Sequence, residues 1–521
     1  MDSYLQHYNK LKIKNNIFVT SNDTPAGTIL LTQAPLASVP FPSERLNRCN
    51  YCLRKGNLQC CSRCHSSYFC SNDCFLNAWI NFHRTQCLPT TTTTTDDDTT
   101  TNLDQILLVR LALTLHSHNN LKKNIPILQQ LSIDALNTLQ LPLHAPPVST
   151  KYLHHAVKNT DWSIEDLSIL DNRIKIASFQ ITDPDTRLDS IAIGVYPITS
   201  QYVRHSCRPN AALIYKQGHQ LLVALENIPA DTPVTISYVD LLATKQQRQD
   251  QLEQRFGFNY QCDCMRCTGE FKGLDTLLER GQSLNLTPAE LETTLEQQLK
   301  TWSVLEMIKT YAAKDFDTVT SVQQPLDAPH LAHFICRMIA PDIYVPALNK
   351  VGKKSMAAIY YNRLPPLSQK NFSRQDETTR ILPAIHALLQ RNCHSPFMSI
   401  AGIKAGENLL KKLVVEERWV EASRCTIYLF MMYRLIYPSL YPKMVYHSLV
   451  LTRASWNSLV QLELAGLGKK LEAVYQESVR LWIMVALNSI LKTFGQDNSL
   501  WREIVEIKWL FERDQKLKLN E

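Results

Sequence analysis

Arg204-His205-Ser206-Cys207-Arg208-Pro209-Asn210, followed by Thr235-Ile236-Ser237-Tyr238 and closed by Cys262-Asp263-Cys264-Met265-Arg266-Cys267, is the stretch that decides how this chain folds. Three closely spaced cysteines are one ligand short of a closed tetrahedral thiolate site. Cys207 is the distant fourth, so a single metal ion would pin the Arg204 loop beneath the later segment.

Upstream lies a denser cluster: Cys49-x-x-Cys52, Cys61-x-x-Cys64, Cys70-x-x-x-Cys74 and His83-x-x-x-Cys87. A C-x-x-C turn aims two thiolates at one ion, and a helix carrying residues four apart presents His83 and Cys87 on one face. Eight ligands fill two tetrahedral sites, and a closed site leaves no position for water or substrate, so the expected zinc is structural. With few large apolar residues between the ligands, its binding energy would be folding energy. Cys60 stands beside the set without the C-x-x-C step to Cys64, and disulfides or free thiols are the competing reading of the whole cluster. In all, eleven of the fifteen cysteines, with His83 as a twelfth ligand, fall into these sets; Cys336, Cys393 and Cys425 stand alone.

The chain has 521 residues, 45% hydrophobic and 20% charged, enough for roughly two to four domains. Its net charge of +7 is mild at this length and forms no dense Lys/Arg block, which argues against direct nucleic-acid binding. The opening Met1-Asp2-Ser3-Tyr4-Leu5-Gln6 is polar, and no apolar run approaches the roughly 18 residues of a membrane span. A soluble intracellular protein of the cytoplasm or nucleus is therefore expected, without membrane partners.

Short apolar runs flank Asn22-Asp23-Thr24-Pro25-Ala26-Gly27 between Ile17-Phe18-Val19 and Thr28-Ile29-Leu30-Leu31, a pattern that predicts a β-hairpin. The Thr/Asp-rich residues 88–102 are too polar and simple to pack and are expected to be disordered. Helical spacing runs over 103–170, with prolines at 142, 146 and 147, and short β-rich runs return between Ile174 and Tyr238. Beyond Cys267 the chain reads helical, with successive antiparallel helices over Ile403–Tyr437 and Met444–Leu491 and a tetratricopeptide-like length in Gly466–Glu506. An ordinary helical domain predicts the same pattern.

The first cluster resembles the MYND finger, whose ligands interleave. By that resemblance Cys49, Cys52, Cys70 and Cys74 hold one zinc, and Cys61, Cys64, His83 and Cys87 the second. The segment from Arg204 to Asn210, the strand ending at Tyr238 and the cysteines from Cys262 resemble the N-H-S-C-x-P-N motif, terminal tyrosine and post-SET zinc site of SET domains. The order of the pieces resembles the SMYD family of protein lysine methyltransferases. The resemblance implies an α+β fold: a β-rich SET domain split by a MYND zinc finger and a helical insert, then an all-α tetratricopeptide-like domain. Its expected segments are an N-terminal SET portion (1–48), the finger (49–87), the Thr/Asp-rich insert (88–102), the helical insert (103–170), the SET core (171–245), the post-SET segment (246–270) and the helical tail (271–521).

The family chemistry is methyl transfer from S-adenosylmethionine to a lysine of a histone or another protein. The match implies Tyr238 at the methyl-transfer point, Asn16, Arg204, His205, Phe258 and Tyr260 around the cofactor, and three structural zinc ions. It also implies proline-containing peptides as ligands of the finger. Departures gather in one pocket. Lys14-Asn15-Asn16 replaces a G-x-G turn, Ala177-Ser178-Phe179 replaces Asn-Ser-Phe, and Arg204 replaces the motif asparagine. The aromatic-x-aromatic-x-Cys pattern reads Phe258-x-Tyr260-x-Cys262, or in an alternative register uses Phe256-Gly257-Phe258. Two functional readings follow: an active protein-lysine methyltransferase, or an inactive SET/MYND scaffold that binds partners through finger and tail.

Overall fold

Two asparagines make the first turn. Asn15 and Asn16 adopt φ of 52° and 61°, the left-handed pair that a two-residue hairpin requires and that asparagine tolerates. They join β1 (Leu11–Lys14) to β2 (Ile17–Thr20) with Lys14 opposite Ile17. The computed structural model describes residues 10–87, 103–121, 126–140, 162–257, 259–279, 286–301, 396–466 and 468–520, with Leu382, Ile385 and Leu389. The Thr/Asp-rich residues 88–102, the three prolines between 141 and 161, and Phe258 lie outside them.

The expected hairpin across Asn22–Gly27 is not formed. That stretch is a crossover, in which Thr24 bridges Ile228 and the Gly27 N–H donates to the Ala224 carbonyl at 2.8 Å. β3 (Ile29–Gln33) instead edges a sheet with β10 (Ala211–Lys216) and β11 (His219–Ala224), in the order β10-β11-β3. A short apolar run identifies a strand but not its partner, and the tighter two-residue turn at Asn15-Asn16 takes β2 first.

A second sheet has the order β4-β8-β7, from β4 (Ser38–Pro40), β7 (Ser178–Thr182) and β8 (Ser190–Val195). The sheets thus combine strands from before and after the cysteine finger, as a domain split by an insertion must. Inside the finger, β5 (Gln59–Cys60) pairs with β6 (Tyr68–Phe69), and α1 (Asn72–Ala78) starts on a Ser71 cap and passes into a π-helical turn over Trp79–His83. The helical insert supplies α2 (Leu103–Leu121), α3 (Ile127–Thr138) and α4 (Ile164–Ala177). α4 hands over directly to β7 at Ser178.

Two buried arginines lock these parts together. Arg110 of α2 donates to the Ser38 and Asn50 carbonyls and stacks over Phe82, joining insert, sheet and finger. Arg48, at the entrance to the finger, pairs with Glu44 at 2.7 Å and with Asp183 at 2.5 Å. Burial of these cations is tolerated because each meets carboxylates, carbonyls or an aromatic face.

The site-bearing segment is a parallel pair, β9 (Arg204–His205) beside β12 (Thr235–Ile236). Asn210, 1% exposed, ties the loop after β9 to β12: its Nδ2 donates to the Pro233 carbonyl at 2.9 Å, and its Oδ1 accepts from the Thr235 N–H at 2.8 Å. α5 (Pro197–Tyr202) precedes β9, and α6 (Lys245–Phe256), opened by a Thr244/Gln247 capping box, follows β12. Among the described residues α7 (Lys272–Glu279), α8 (Pro288–Thr301), α9 (Ile400–Val415), α10 (Trp419–Ile436), α11 (Pro442–Leu464), α12 (Gly468–Phe494) and α13 (Ser499–Asn520) make the all-α remainder. Gly406 lets α9 and α10 approach, since a Cβ there would meet Tyr428 at 2.9 Å. The helices and the Cys207 region share one apolar core, in which Cys207, Leu252 and Phe271 pack with Tyr428 and Leu429. No helix among the described residues is long and apolar enough to cross a membrane.

Replacing Asn210 with alanine strands a buried carbonyl and a buried N–H, which costs about 1 to 3 kcal/mol. A lower urea midpoint of the β-rich region is the expected result for Asn210→Ala; an unchanged midpoint would show that the β9–β12 pairing does not depend on this amide.

Candidate functional site

The twelve metal-ligand candidates assemble as three groups of four, each with its ligand atoms within 4.8 Å of one another: Cys49, Cys52, Cys70, Cys74; Cys61, Cys64, His83, Cys87; and Cys207, Cys262, Cys264, Cys267. The two finger groups interleave along the chain, as the resemblance implied. A tetrahedral zinc with bonds of about 2.3 Å sets its sulfurs roughly 3.8 Å apart, whereas a disulfide sets them about 2.05 Å apart. The observed separations are 3.5 Å for Cys52–Cys70, 3.6 Å for Cys70–Cys74, 3.8 Å for Cys61–Cys87 and 3.6 Å for Cys207–Cys267. The donor sets therefore fit zinc and are not disulfides. Cys60 is exposed and stays out of the groups.

One detail departs from the helix expected to carry His83 and Cys87. His83 ends the π-helical turn, a short helical turn follows over Arg84–Gln86, and Cys87 leaves it with φ −82° and ψ 89°. Burial holds the His83 imidazole below its usual range, hence neutral and able to ligate. Phe69, Phe75 and Trp79 pack edge-on around its ring, giving the finger more apolar support than its sequence suggested.

Around the third group the protein supplies compensating charge. Arg248 of α6, 1% exposed, donates from Nε to Cys207 Sγ at 3.3 Å and grips Asp275 with both terminal nitrogens at 3.1 and 2.7 Å. Arg266 holds the same carboxylate at 2.8 Å and the Leu241 carbonyl at 2.8 Å. Hydrogen bonds from Cys207, then Cys262 and Cys267, draw the Cys264 thiol far below its ordinary range, while Cys207 is pushed up by its bonds to the other three. Four thiols this close share their protons, and all four ionise together only around a cation. Nothing in the polar pattern of α6 marks Arg248; only the fold brings it to the sulfurs.

His205 links this group to the tyrosine strand. Its Nδ1 accepts from the Tyr238 N–H at 3.2 Å, which leaves Nε2 as the donor toward Cys207 Sγ at 3.2 Å. Burial lowers its pKa to about 4, so the ring is neutral at pH 7. The Tyr238 hydroxyl lies within 3.1 Å of the Thr199 carbonyl and 2.9 Å of the Val203 carbonyl, both at α5. Three oxygens therefore converge at one point. Burial pushes the Tyr238 pKa up, keeping the phenol protonated.

Aromatic rings wall this point. Phe179 and Tyr238 have centroids 5.6 Å apart, Phe256 meets Tyr238 edge-on at 5.2 Å, and Tyr260 lies 5.0 Å from Phe256. Arg255, which sequence reasoning passed over, lays its guanidinium over both Phe179 and Tyr238. Of the other predicted residues, Asn16 lies at the α5 end of the site, its Oδ1 3.5 Å from the Gln201 amide, whereas Arg204 points outward and is exposed. Ala177 is fully buried, so its missing amide leaves no gap open to solvent. Lys14 sits in extended β1, outside the left-handed positions of the turn.

The family model described as SET domain matches residues 18–239, which spans the cysteine finger and ends one residue after Tyr238. Histone-lysine N-methyltransferase ASHR1 of Arabidopsis thaliana is 23% identical over 435 residues, 82% of this chain and 82% of that protein. Histone-lysine N-methyltransferase SMYD3 of Mus musculus is 26% identical over 259 residues, 48% of this chain and 58% of the relative. N-lysine methyltransferase SMYD2 of Bos taurus is 25% identical over 251 residues, 47% of this chain and 56% of the relative. The chain thus spans little more than half the length of the latter two. With a segment that matches the SET domain model, a cysteine-rich finger within it and packed helices after it, the chain is similar to the SMYD proteins among these relatives.

Proposed function

We propose that this protein is an S-adenosylmethionine-dependent protein-lysine N-methyltransferase acting on a histone or another protein. The observation that carries the reading is the convergence of the Tyr238 hydroxyl with the Thr199 and Val203 carbonyls at the aromatic wall. When bound, S-adenosylmethionine supplies an electron-poor methyl group on a sulfonium. An oxygen collar suits such a methyl, because polarised C–H groups favour carbonyl and hydroxyl oxygens. The Tyr238 hydroxyl also has a lone pair for an N–H of the acceptor amine. The rings of Phe179, Tyr238 and Phe256 exclude water, and desolvation favours the neutral amine that attack requires.

The residues present fit the cofactor. The Asn15-Asn16 turn takes left-handed dihedrals without glycine, and His205 is held from both ring nitrogens. Asn16, His205 and Tyr260 would hold the cofactor, and Tyr238 is the catalytic residue. The three Cys/His groups hold structural zinc ions. Leu76 and Ile80 on the finger, 53% and 55% exposed, give proline-containing peptides an apolar surface to dock on.

Zinc analysis of the purified chain should return close to three ions, one per group; two would remove one assignment. Arg248→Met should speed zinc loss to a chelator by about tenfold, the scale of removing a partner that supports a metal ligand. An unchanged release rate would mean that Arg248 does not support the Cys207 group. Calorimetry should give saturable binding of S-adenosylmethionine, and Tyr238→Phe should lower turnover about 100-fold with binding retained. Absence of heat at millimolar cofactor would end the enzyme reading and leave the partner-binding scaffold in its place.

A further inference from the structure

Arg255 has no part in the chemistry described above, yet it occupies the centre of that site. Its Cζ lies 4.6 Å from the Phe179 ring centroid and 4.9 Å from that of Tyr238. One terminal nitrogen donates to the Ile176 carbonyl at 2.6 Å and the Ser178 carbonyl at 2.8 Å. The Nε is shut off from solvent and has no hydrogen-bond partner among the described residues. A buried donor without a partner is costly, so the placement is maintained by the aromatic faces and the two carbonyls rather than by full hydrogen bonding.

Those faces are the surfaces that would receive the acceptor. A lysine side chain entering to meet the Tyr238 hydroxyl brings an ammonium before it loses its proton, and aromatic faces attract ammonium and guanidinium alike. Arginine stays charged here, so two like charges would compete for the same rings. Arg255 sits in the last turn of α6, next to the Gly257 cap with φ 111°. Withdrawal would be a change of side-chain rotamer, with the helix backbone left in place.

We propose that Arg255 is an internal competitor of the acceptor lysine: its guanidinium fills the aromatic pocket beside Tyr238, and methyl transfer requires its withdrawal. The proposal rests on the methyltransferase reading for its effect on turnover, but not for the occupancy itself. Arg255 is thereby a specificity determinant. An acceptor must offer enough contacts elsewhere to displace it, so short or weakly held lysine peptides are disfavoured.

Two measurements on the full chain test this. With core histones as acceptor, Arg255→Gln keeps a donor for the two carbonyls and should raise kcat/KM about tenfold, mainly through KM, the scale of one desolvated cation–aromatic contact. S-adenosylmethionine affinity, read by calorimetry, should stay unchanged, and Arg255→Ala should show the same increase if the glutamine variant folds poorly. Equal or lower turnover at unchanged cofactor affinity overturns the proposal. Independently, arginine-labelled protein should show one Nε–H resonance that is ring-shifted, slow to exchange and lost in Arg255→Gln; its absence from the parent protein also overturns the proposal. If neither protein binds S-adenosylmethionine, the methyltransferase reading fails by itself. The shifted resonance, together with n-butylammonium binding to Arg255→Gln but not to the parent chain, then decides the occupancy.

Discussion

The Cys207, Cys262, Cys264 and Cys267 group is the constraint on which the rest of the structure depends. It joins a loop that leaves β9 to a segment more than fifty residues later. The same cysteines belong to the apolar core that continues into the C-terminal helices. Metal affinity, the packing of α6 and the docking of the helical tail are therefore one cooperative matter. Arg248, Arg266 and Asp275 complete it electrostatically, because four thiolates around one divalent ion would leave negative charge that a buried site must answer.

The reactive point inherits its geometry from that closure. Cys207 receives the His205 Nε2 proton, His205 Nδ1 receives the Tyr238 N–H, and the Tyr238 ring then aims its hydroxyl at two carbonyls of α5. Each step fixes one degree of freedom of the next group, so orientation passes from the four-cysteine group to a phenol through a single neutral imidazole. Preorganisation of this kind is what a positioning-dominated reaction needs.

Much of this was legible in the sequence because cysteine and histidine spacing is a local code with a strict geometric meaning. All twelve ligand candidates meet in the groupings that the motifs implied. The strand partners were less legible: short apolar runs marked Ile17–Val19 and Ile29–Leu31 as strands, but pairing was settled by the Asn15-Asn16 turn and by β11. The departures in the pocket read as losses in the sequence, since a letter shows the missing amide and not what surrounds it. The fold turns Arg204 outward, buries Ala177 and brings in Arg255 from α6, an arginine that no motif flags. Long side chains from distant helices are the part of a site that spacing cannot reveal, because their reach is set by tertiary packing.

The turn at Asn15-Asn16 is specified by backbone angles. What this hairpin demands is a pair of left-handed dihedrals, and glycine is only the most permissive letter that satisfies them. Asparagine satisfies them too, so Asn15 and Asn16 close the hairpin without either glycine of a G-x-G pattern.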